Sequence, residues 1–484
     1  MRMLAIDIGA SGGKAVLGEI DGNSLTTTEV RRFPNAFVDI GGHKHWDIVR
    51  LFDEVKKCLA TTPDVDTFGI DTWGVDYGYV GYDNDLLGLP FAYRDSRTDQ
   101  MVPYLRNLIT TEKLYSITGI QHMPFNTVYQ LADDVLNRPW ILANARCMLM
   151  IPELLGFMMT GVPASEYTNA STTGLIDLKT REWSDTIIDK ISFPTDLLLR
   201  PVNRPGALKF DMLKSVASET GSRAKLVLTA THDTASAVAA IPARTENWAF
   251  ISSGTWSLVG MELDEPVVTN DARKANFTNE GGTDGKIRFL RNVTGLWLLE
   301  ELRRMWKKDG MDISYDEILT EIESAPRFKS LVNPDHPSFV APDDMRVAIR
   351  EFCKSTDQTV PNGVGPFARC VFESLALMYR KKIIQLSEIT GRSIETIHIV
   401  GGGSKNGLLN QMTADACGIP VFAGPSEGTA LGNLLVQACS NHDFGSIAYG
   451  RRIIANTVEP ELFEPSGTDD WLNVTAKFDS LLTD

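Results

Sequence analysis

The chain has 484 residues, 43% of them apolar and 8% aromatic, and 47 Lys+Arg against 62 Asp+Glu leave a formal charge of −15. At about 150 residues per domain this is two to four domains of ordinary globular composition, which excludes disordered, collagen-like and coiled-coil chains and needs no metal or disulfide staple. The acidic balance also excludes a general affinity for nucleic acid or anionic membrane, since neither polyanion gains from it, but leaves room for a small anionic ligand whose donors are supplied locally.

The first residues, MRMLAIDIGASGG, have their apolar stretch cut by Asp7 and lack a signal-peptide core. Nowhere do roughly 18 apolar residues run together, so a soluble, cytoplasmic protein is expected. Leu4 to Leu17 combines an apolar strand, a Gly-rich turn (Gly9 to Gly13) and a second apolar run too short for a helix, which predicts a β-hairpin. Asp7 lies inside that strand, where an ionised carboxylate is costly unless it is paired or faces a cation. Lys14, just past the turn, is either a solvated lysine or a point charge for a phosphate. Next, Asp47 precedes Ile48, Leu51, Phe52, Val55 and Leu59, a plausible N-cap before apolar residues at helical spacing. Phe68 to Val80 then returns to strand character, and the alternation gives an α/β class.

Asp71-Thr72-Trp73-Gly74-Val75-Asp76 and Tyr93-Arg94-Asp95-Ser96-Arg97 place carboxylates, a tryptophan and arginines at strand ends, and a similar mixture recurs in Gln121 to Asn126. Such sets suit a polyhydroxylated ligand, whose hydroxyls want charged partners and whose C–H face wants an aromatic; surface salt bridges would use the same letters. Thr231-His232-Asp233-Thr234 follows a strand (Leu226 to Leu228) and precedes a predicted helix, Ala235 to Ala240. Asp233 there is either that helix's N-cap or a general base near a domain boundary. The polar stretch Ile241 to Glu246 marks the boundary, with domains expected at 1–241 and 242–484 and the last residues packing back on the first.

A second hairpin design starts the second half, Trp248 to Gly260, with a Ser252–Thr255 turn. Pro326 to Met345 holds four prolines and reads as an extended surface excursion. Phe372 to Ile389 reads as a helix and Ile397 to Val400 as a strand running into Gly401-Gly402-Gly403. None of the three glycine turns is a Walker A sequence, but glycines let several N–H groups converge on phosphate oxygens. The six cysteines (Cys58, Cys147, Cys353, Cys370, Cys417, Cys439) are scattered with no C-x-x-C pair, which indicates neither a zinc site nor a disulfide scaffold.

The stretches AIDIGASGGKAVL, IDTWGVDYG, AYRDSRTD, GIQHMPFNTVYQL, EYTNASTTG, THDTASAVAA, SSGTWSLVG, FTNEGGTDG, RNVTGLWLLEE, IVGGGSKNGLLNQMTADACGIPV and AGPSEGTALGN together resemble the FGGY family of carbohydrate kinases, and within it the branch acting on L-rhamnulose. The resemblance runs from residue 4 to about residue 435. It implies two RNase H-like domains of the actin, Hsp70 and hexokinase type flanking a catalytic cleft, the first binding sugar and the second nucleotide. It also implies ATP-dependent phosphorylation of the ketose C1 hydroxyl with Mg²⁺ as cofactor, small-molecule partners only, and no nucleic acid or membrane. By matched position, Asp233 is the proton acceptor, and Gly74, His232, Asp233, Thr234 and Asn292 hold the sugar. Ala10, Ser11, Gly12, Gly13 and Lys14, with Thr255, Glu300, Gly401, Gly402 and Gly403, face ATP, and Asp7 places Mg²⁺ through water. Two positions depart from the pattern. Ser11-Gly12-Gly13-Lys14 stands where Ser-Ser-Gly-Arg is common, and Glu300 stands for a glutamine, so its carboxylate suits ATP only if turned to ribose. Another ketose, such as L-fuculose or a pentulose, or a non-catalytic sensor on the same fold, is the alternative.

Overall fold

The computed structural model describes residues 1–22, 24–340 and 342–482. Contacts divide the chain into two compact units, the first made of Met1–Pro242, Glu262–Phe289 and Glu427–Val458, the second of Ala243–Met261, Leu290–Ser426 and Glu459–Asp484. The segments 262–289 and 427–458, which follow the expected boundary in sequence, thus pack with the first unit, and residues 459–484 with the second.

In the first unit six strands form a sheet in the order Lys209–Asp211, Lys225–Val227, Thr67–Thr72, Arg2–Ile8, Gly12–Asp21, Ser24–Pro34. Arg2–Ile8 pairs antiparallel with Gly12–Asp21, setting Asp7 opposite Lys14, and parallel with Thr67–Thr72, setting Asp7 beside Asp71. Side chains alternate across a strand. Leu4, Ile6 and Ile8 therefore enter one core with Phe68, Ile70 and the helix Ile48–Thr61, whose Asp47 cap accepts from the Arg50 amide as expected. Met3 and Ala5 face the other way, into a core built with Ala235, Ala430, Leu431 and Leu434. Asp7 shares that second face, so the strand's period aims its carboxylate at the helices Asp233–Ala239 and Gly428–Ser440.

Those two helices touch at Gly432, where a Cβ would stand 1.7 Å from the Ser236 carbonyl oxygen. Only glycine permits this approach. At Gly69 a Cβ would meet Asn433 Oδ1 at 2.4 Å, so the strand gives up a side chain to admit an amide from the second helix.

The second unit carries a sheet in which Trp248–Ser253 runs antiparallel to Trp256–Leu263 and parallel to Thr396–Val400, followed by Val421–Ala423 and Glu461–Phe463. The helix Val364–Thr390 is buried along most of its length and begins eight residues before the periodicity suggests. The Ser257 and Tyr379 hydroxyls share a hydrogen bond of 2.7 Å. From Pro326 to Val340 the chain forms no strand but passes through turns at Arg327–Phe328, Pro334–Asp335 and Pro337–Phe339, and Leu331, Val332 and Phe339 are buried, so the stretch is not the extended surface excursion expected. Among the described residues no helix is long and apolar enough to cross a membrane.

Two local expectations are corrected. Phe68 to Val80 is not one strand: it stops at Thr72, turns through Val75 at φ 67°, and restarts at Tyr77. The helix expected at Ala235 starts at Asp233, so His232 occupies the cap position and Asp233 is the first helical residue.

Candidate active site

In the first unit, three carboxylates converge on the carboxyl ends of the central strands and the start of the helix Asp233–Ala239. Asp71 Oδ2 accepts from Asn433 Nδ2 at 2.5 Å, and Asn433 Oδ1 accepts from Gln437 Nε2 at 2.8 Å, so a ladder from the helix Gly428–Ser440 fixes the group. Asp71 Oδ1 is buried and has no partner among the described residues. Burial pushes Asp71 well above the usual carboxylate range, and the neighbouring charges of Asp7 and Asp233 push it further. Asp7 is raised by burial too, against the lowering pull of Lys14. Asp233 is raised to about 7, first by burial and then by the Asp7 charge, with the Thr234 hydrogen bonds pulling the other way.

The competing role for Asp233 is answered by its place in the helix. An N-cap side chain accepts from the N–H groups two or three residues on. Asp233 Oδ1 instead accepts from the Thr234 amide at 2.6 Å and hydroxyl at 3.1 Å, one residue on. Its side chain remains 29% exposed, within reach of a ligand.

Lys14 lies between two acids: its Nζ is 3.4 Å from Asp7 Oδ2 and donates to Glu427 Oε2. Burial lowers the pKa of Lys14 while the two carboxylates more than restore it, so the ammonium stays charged. In the adjoining turn, the Gly9, Ser11 and Gly12 carbonyls accept from Asn35 Nδ2, the Asn35 amide and the Gly9 amide. With the Ser11 and Gly12 carbonyls engaged, the turn of Ala10, Ser11, Gly12 and Gly13 is suited to offering N–H groups to an anion. Gly13 is required for packing, since a Cβ there would come within 2.3 Å of the Phe33 ring.

The sugar-side expectations Gly74, His232 and Thr234 come together in the same unit. The Thr72 amide donates to the Thr231 carbonyl at 2.9 Å, tying the end of one strand to the loop that carries His232. Gly74 sits against Thr172, whose Oγ1 would lie 2.8 Å from a Cβ and which accepts from the Val75 amide at 3.1 Å. Asp76, one turn on, is fully buried and accepts from Trp46 Nε1, Trp73 Nε1, Gln130 Nε2 and the Tyr93 amide at 2.7–3.0 Å. Burial raises it to about 6, and those four donors hold the rise in check. Asp76 therefore anchors the indoles rather than meeting a ligand, whereas the sequence grouped it with ligand-facing acids.

Several supporting residues were given no role by the sequence. Glu166 accepts from the Thr231 amide and hydroxyl at 3.0 and 2.7 Å, and the Thr168 hydroxyl accepts from the His232 amide at 3.2 Å. Arg288, wholly buried, donates to His232 Nδ1 at 2.9 Å and to the Gly281 carbonyl at 2.8 Å, beside Glu280. Only a charged residue inside an apolar strand, as at Asp7, would have signalled Arg288.

In the second unit the two remaining glycine turns form one structure. Gly401 has φ 82°, and a Cβ on Gly403 would fall 2.0 Å from Ser253 Oγ, so the Gly401–Gly403 loop lies directly on the Ser252–Thr255 turn. The Thr255 carbonyl accepts from the Gly295 amide at 3.1 Å, and a Cβ on Gly295 would press within 2.6 Å of the Gly254 carbonyl. Glu300, on the helix Trp297–Lys308, turns to Arg303 at 3.1 Å and is half exposed. Asn292 lies on the strand Ile287–Thr294 in its second-unit portion, so it is not in the unit that holds Gly74 and Asp233.

Comparisons with known proteins agree along the whole chain. The FGGY family of carbohydrate kinases matches through its N-terminal domain at residues 2–240 and its C-terminal domain at residues 249–440. A rhamnulokinase of Bacteroides thetaiotaomicron is 42% identical over 475 residues, 97% of each chain. A rhamnulokinase of Oceanobacillus iheyensis is 38% identical over 460 residues, covering 94% of this chain and 97% of that protein. Among solved structures, a gluconate kinase from Lactobacillus acidophilus superposes with a TM-score of 0.82 at 17% identity, over 99% of this chain and 97% of the other. Plasmodium falciparum glycerol kinase gives 0.79 at 14% identity, over 99% and 97%. The fold is thus the ribonuclease H-like α/β fold of the sugar kinases, as the sequence implied.

Proposed function

We propose a reaction for this chain from the premise that it belongs to the FGGY family of carbohydrate kinases: transfer of the ATP γ-phosphate to the C1 hydroxyl of L-rhamnulose, giving L-rhamnulose 1-phosphate and ADP. The choice of sugar rests on 42% identity to a rhamnulokinase over nearly the full length of both chains. The chemistry rests on a raised-pKa carboxylate at a helix start, freed from capping.

Phosphoryl transfer asks a protein mainly to position reactants, neutralise charge and supply one base within hydrogen-bond reach of the attacking hydroxyl. Asp233 takes that base role and accepts the C1 proton as the oxygen attacks phosphorus, while Gly74, His232 and Thr234 hold the sugar. The first glycine turn, Ala10 to Lys14, presents N–H groups and an ammonium to the phosphates. Gly401 to Gly403 grip the adenosine. Glu300 serves the ribose only by leaving Arg303.

Mg²⁺ fits the first unit. Among the described residues no group of three or more metal-binding side chains encloses a site. Yet Asp71 Oδ1 is a buried acceptor without a partner beside Asp7, and Mg²⁺ commonly keeps its waters and takes one or two carboxylates plus substrate phosphates. Asp7, through water, and Asp71 would hold the ion, which when bound neutralises charge on the phosphate oxygens. The proposed location is the cytoplasm, where ATP is available.

One methyl group in an apolar pocket is worth only about 1–3 kcal/mol of discrimination, so the test is quantitative. We expect kcat/KM to rank L-rhamnulose first, about 10- to 200-fold over its nearest competitor among L-fuculose, ribulose and xylulose. Any other ketose ranking first would overturn the substrate assignment.

A further inference from the structure

We propose that Arg288 is a positioning residue that fixes the tautomer of His232, so that the ring presents an Nε2–H donor on the Asp233 side. The inference deepens the sugar-kinase reading above and rests on it for the identity of the acceptor, but its physical core stands apart from the substrate.

A guanidinium has only donors. Arg288 Nη2 lies 2.9 Å from His232 Nδ1, so Nδ1 must be the acceptor and the proton of the neutral ring must sit on Nε2. Glu280 Oε2 also stands 3.6 Å from Nδ1, but burial and the adjacent Arg288 charge both hold the ring's pKa well below the usual histidine range, so it is neutral in this place. Nε2 is 3.5 Å from Asp233 Oδ1, too long for a hydrogen bond between them. The two groups are near enough, and Asp233 exposed enough at 29%, for one hydroxyl oxygen to accept from Nε2–H while giving its own proton to Asp233.

Arg288 is itself constrained. Its Nε donates to the Gly281 carbonyl at 2.8 Å, Nη2 stands 3.2 Å from Glu280 Oε2, and the side chain is wholly buried. Arg288 Nη1 has no hydrogen-bond partner among the described residues. A buried ion pair with an unmet donor is a poor source of stability compared with packed apolar side chains. Holding one nitrogen of His232 is a role in which the charge is needed, and it has a second effect. A histidine with Nδ1 blocked and Nε2 protonated has no lone pair to offer the attacking hydroxyl, so Asp233 is left as the sole base.

Long-range ¹⁵N–¹H correlation spectra of the ¹⁵N-histidine-labelled chain, with His232 assigned by loss of its signals in His232→Gln, test this without substrate. We expect a neutral Nε2–H pattern that does not titrate between about pH 5 and 8. Arg288→Met combined with Glu280→Gln removes both buried charges together. In that variant His232 should populate both tautomers and titrate nearer to an ordinary histidine, and the sugar KM should rise about 10-fold or more with the ATP KM unchanged. Arg288→Lys, which keeps a charged donor, should restore the Nε2–H pattern. An Nδ1–H or doubly protonated ring in the unsubstituted protein at pH 7 overturns the proposal, as does a double variant with an unchanged tautomer. If the tautomers behave as stated and L-rhamnulose is not phosphorylated, the positioning role stands and the substrate assignment falls.

Discussion

At the scale of single residues, the site is a crowd of acids with too few cations. Asp233 is raised to about 7 mainly because it is largely shielded from water, with Asp7 adding to the effect. A base must be ionised to work, so kcat/KM for the sugar should fall as pH drops below about 7 and level off above it. Stability should run the opposite way. A carboxyl whose folded pKa lies above its unfolded value of 3.8 favours the folded state at low pH, and that contribution is lost as pH rises through about 7. Asp233→Asn should therefore raise Tm by a few degrees at pH 8 and by much less at pH 5, measured by differential scanning calorimetry; a lower Tm at pH 8 would contradict the argument. Some of this crowd was legible in the letters. Asp7 announced itself as a charge in an apolar strand, and the sequence left Asp233 open between cap and base. Arg288 and Glu166 were hidden because their partners, His232 and Thr231, are 56 and 65 residues away, and no local pattern encodes such pairs.

At the scale of elements, the hairpin at the start, the capped helix Ile48–Thr61 and the strand before Gly401 could be read from periodicity and turn chemistry. The break after Thr72 could not, since Val75 at φ 67° is a β-branched residue in a conformation that its type disfavours. That turn is set by Thr172, which binds the Val75 amide across 97 residues of sequence. The contact between the helices Asp233–Ala239 and Gly428–Ser440 is likewise invisible in sequence and central to the site, for it sets where Asp233 begins. Gly432→Ala would drive a methyl into the Ser236 carbonyl and separate the two helices. Overpacking of this kind costs about 1–3 kcal/mol or more. We expect a Tm lower by several degrees and a kcat loss exceeding the fraction unfolded, read from thermal melts and assays on one preparation. An unchanged Tm would show that the helices are free to shift.

At the scale of the whole molecule, the units are not two halves of the sequence. Met3, Ala5 and Val16 are buried against Ala430, Leu431 and Leu434, so the first sheet depends on a helix more than 400 residues away from its first strand. Composition predicts how much core a chain can bury, but a discontinuous unit requires knowing which face each helix covers. A chain ended at Ser426 should accordingly lose cooperative unfolding of the first unit by circular dichroism, because an apolar sheet face and the Asp71 carboxylate would both open to water. Retention of a sharp transition would contradict that packing. The central claim is that one carboxylate, Asp233, removes the sugar proton during phosphoryl transfer. Sugar binding by titration calorimetry and turnover by coupled ADP release, measured side by side on Asp233→Asn, test it most directly. The account predicts a sugar Kd close to that of the unsubstituted protein with kcat lower by about 10² to 10⁴; turnover near the original rate with binding intact would contradict it.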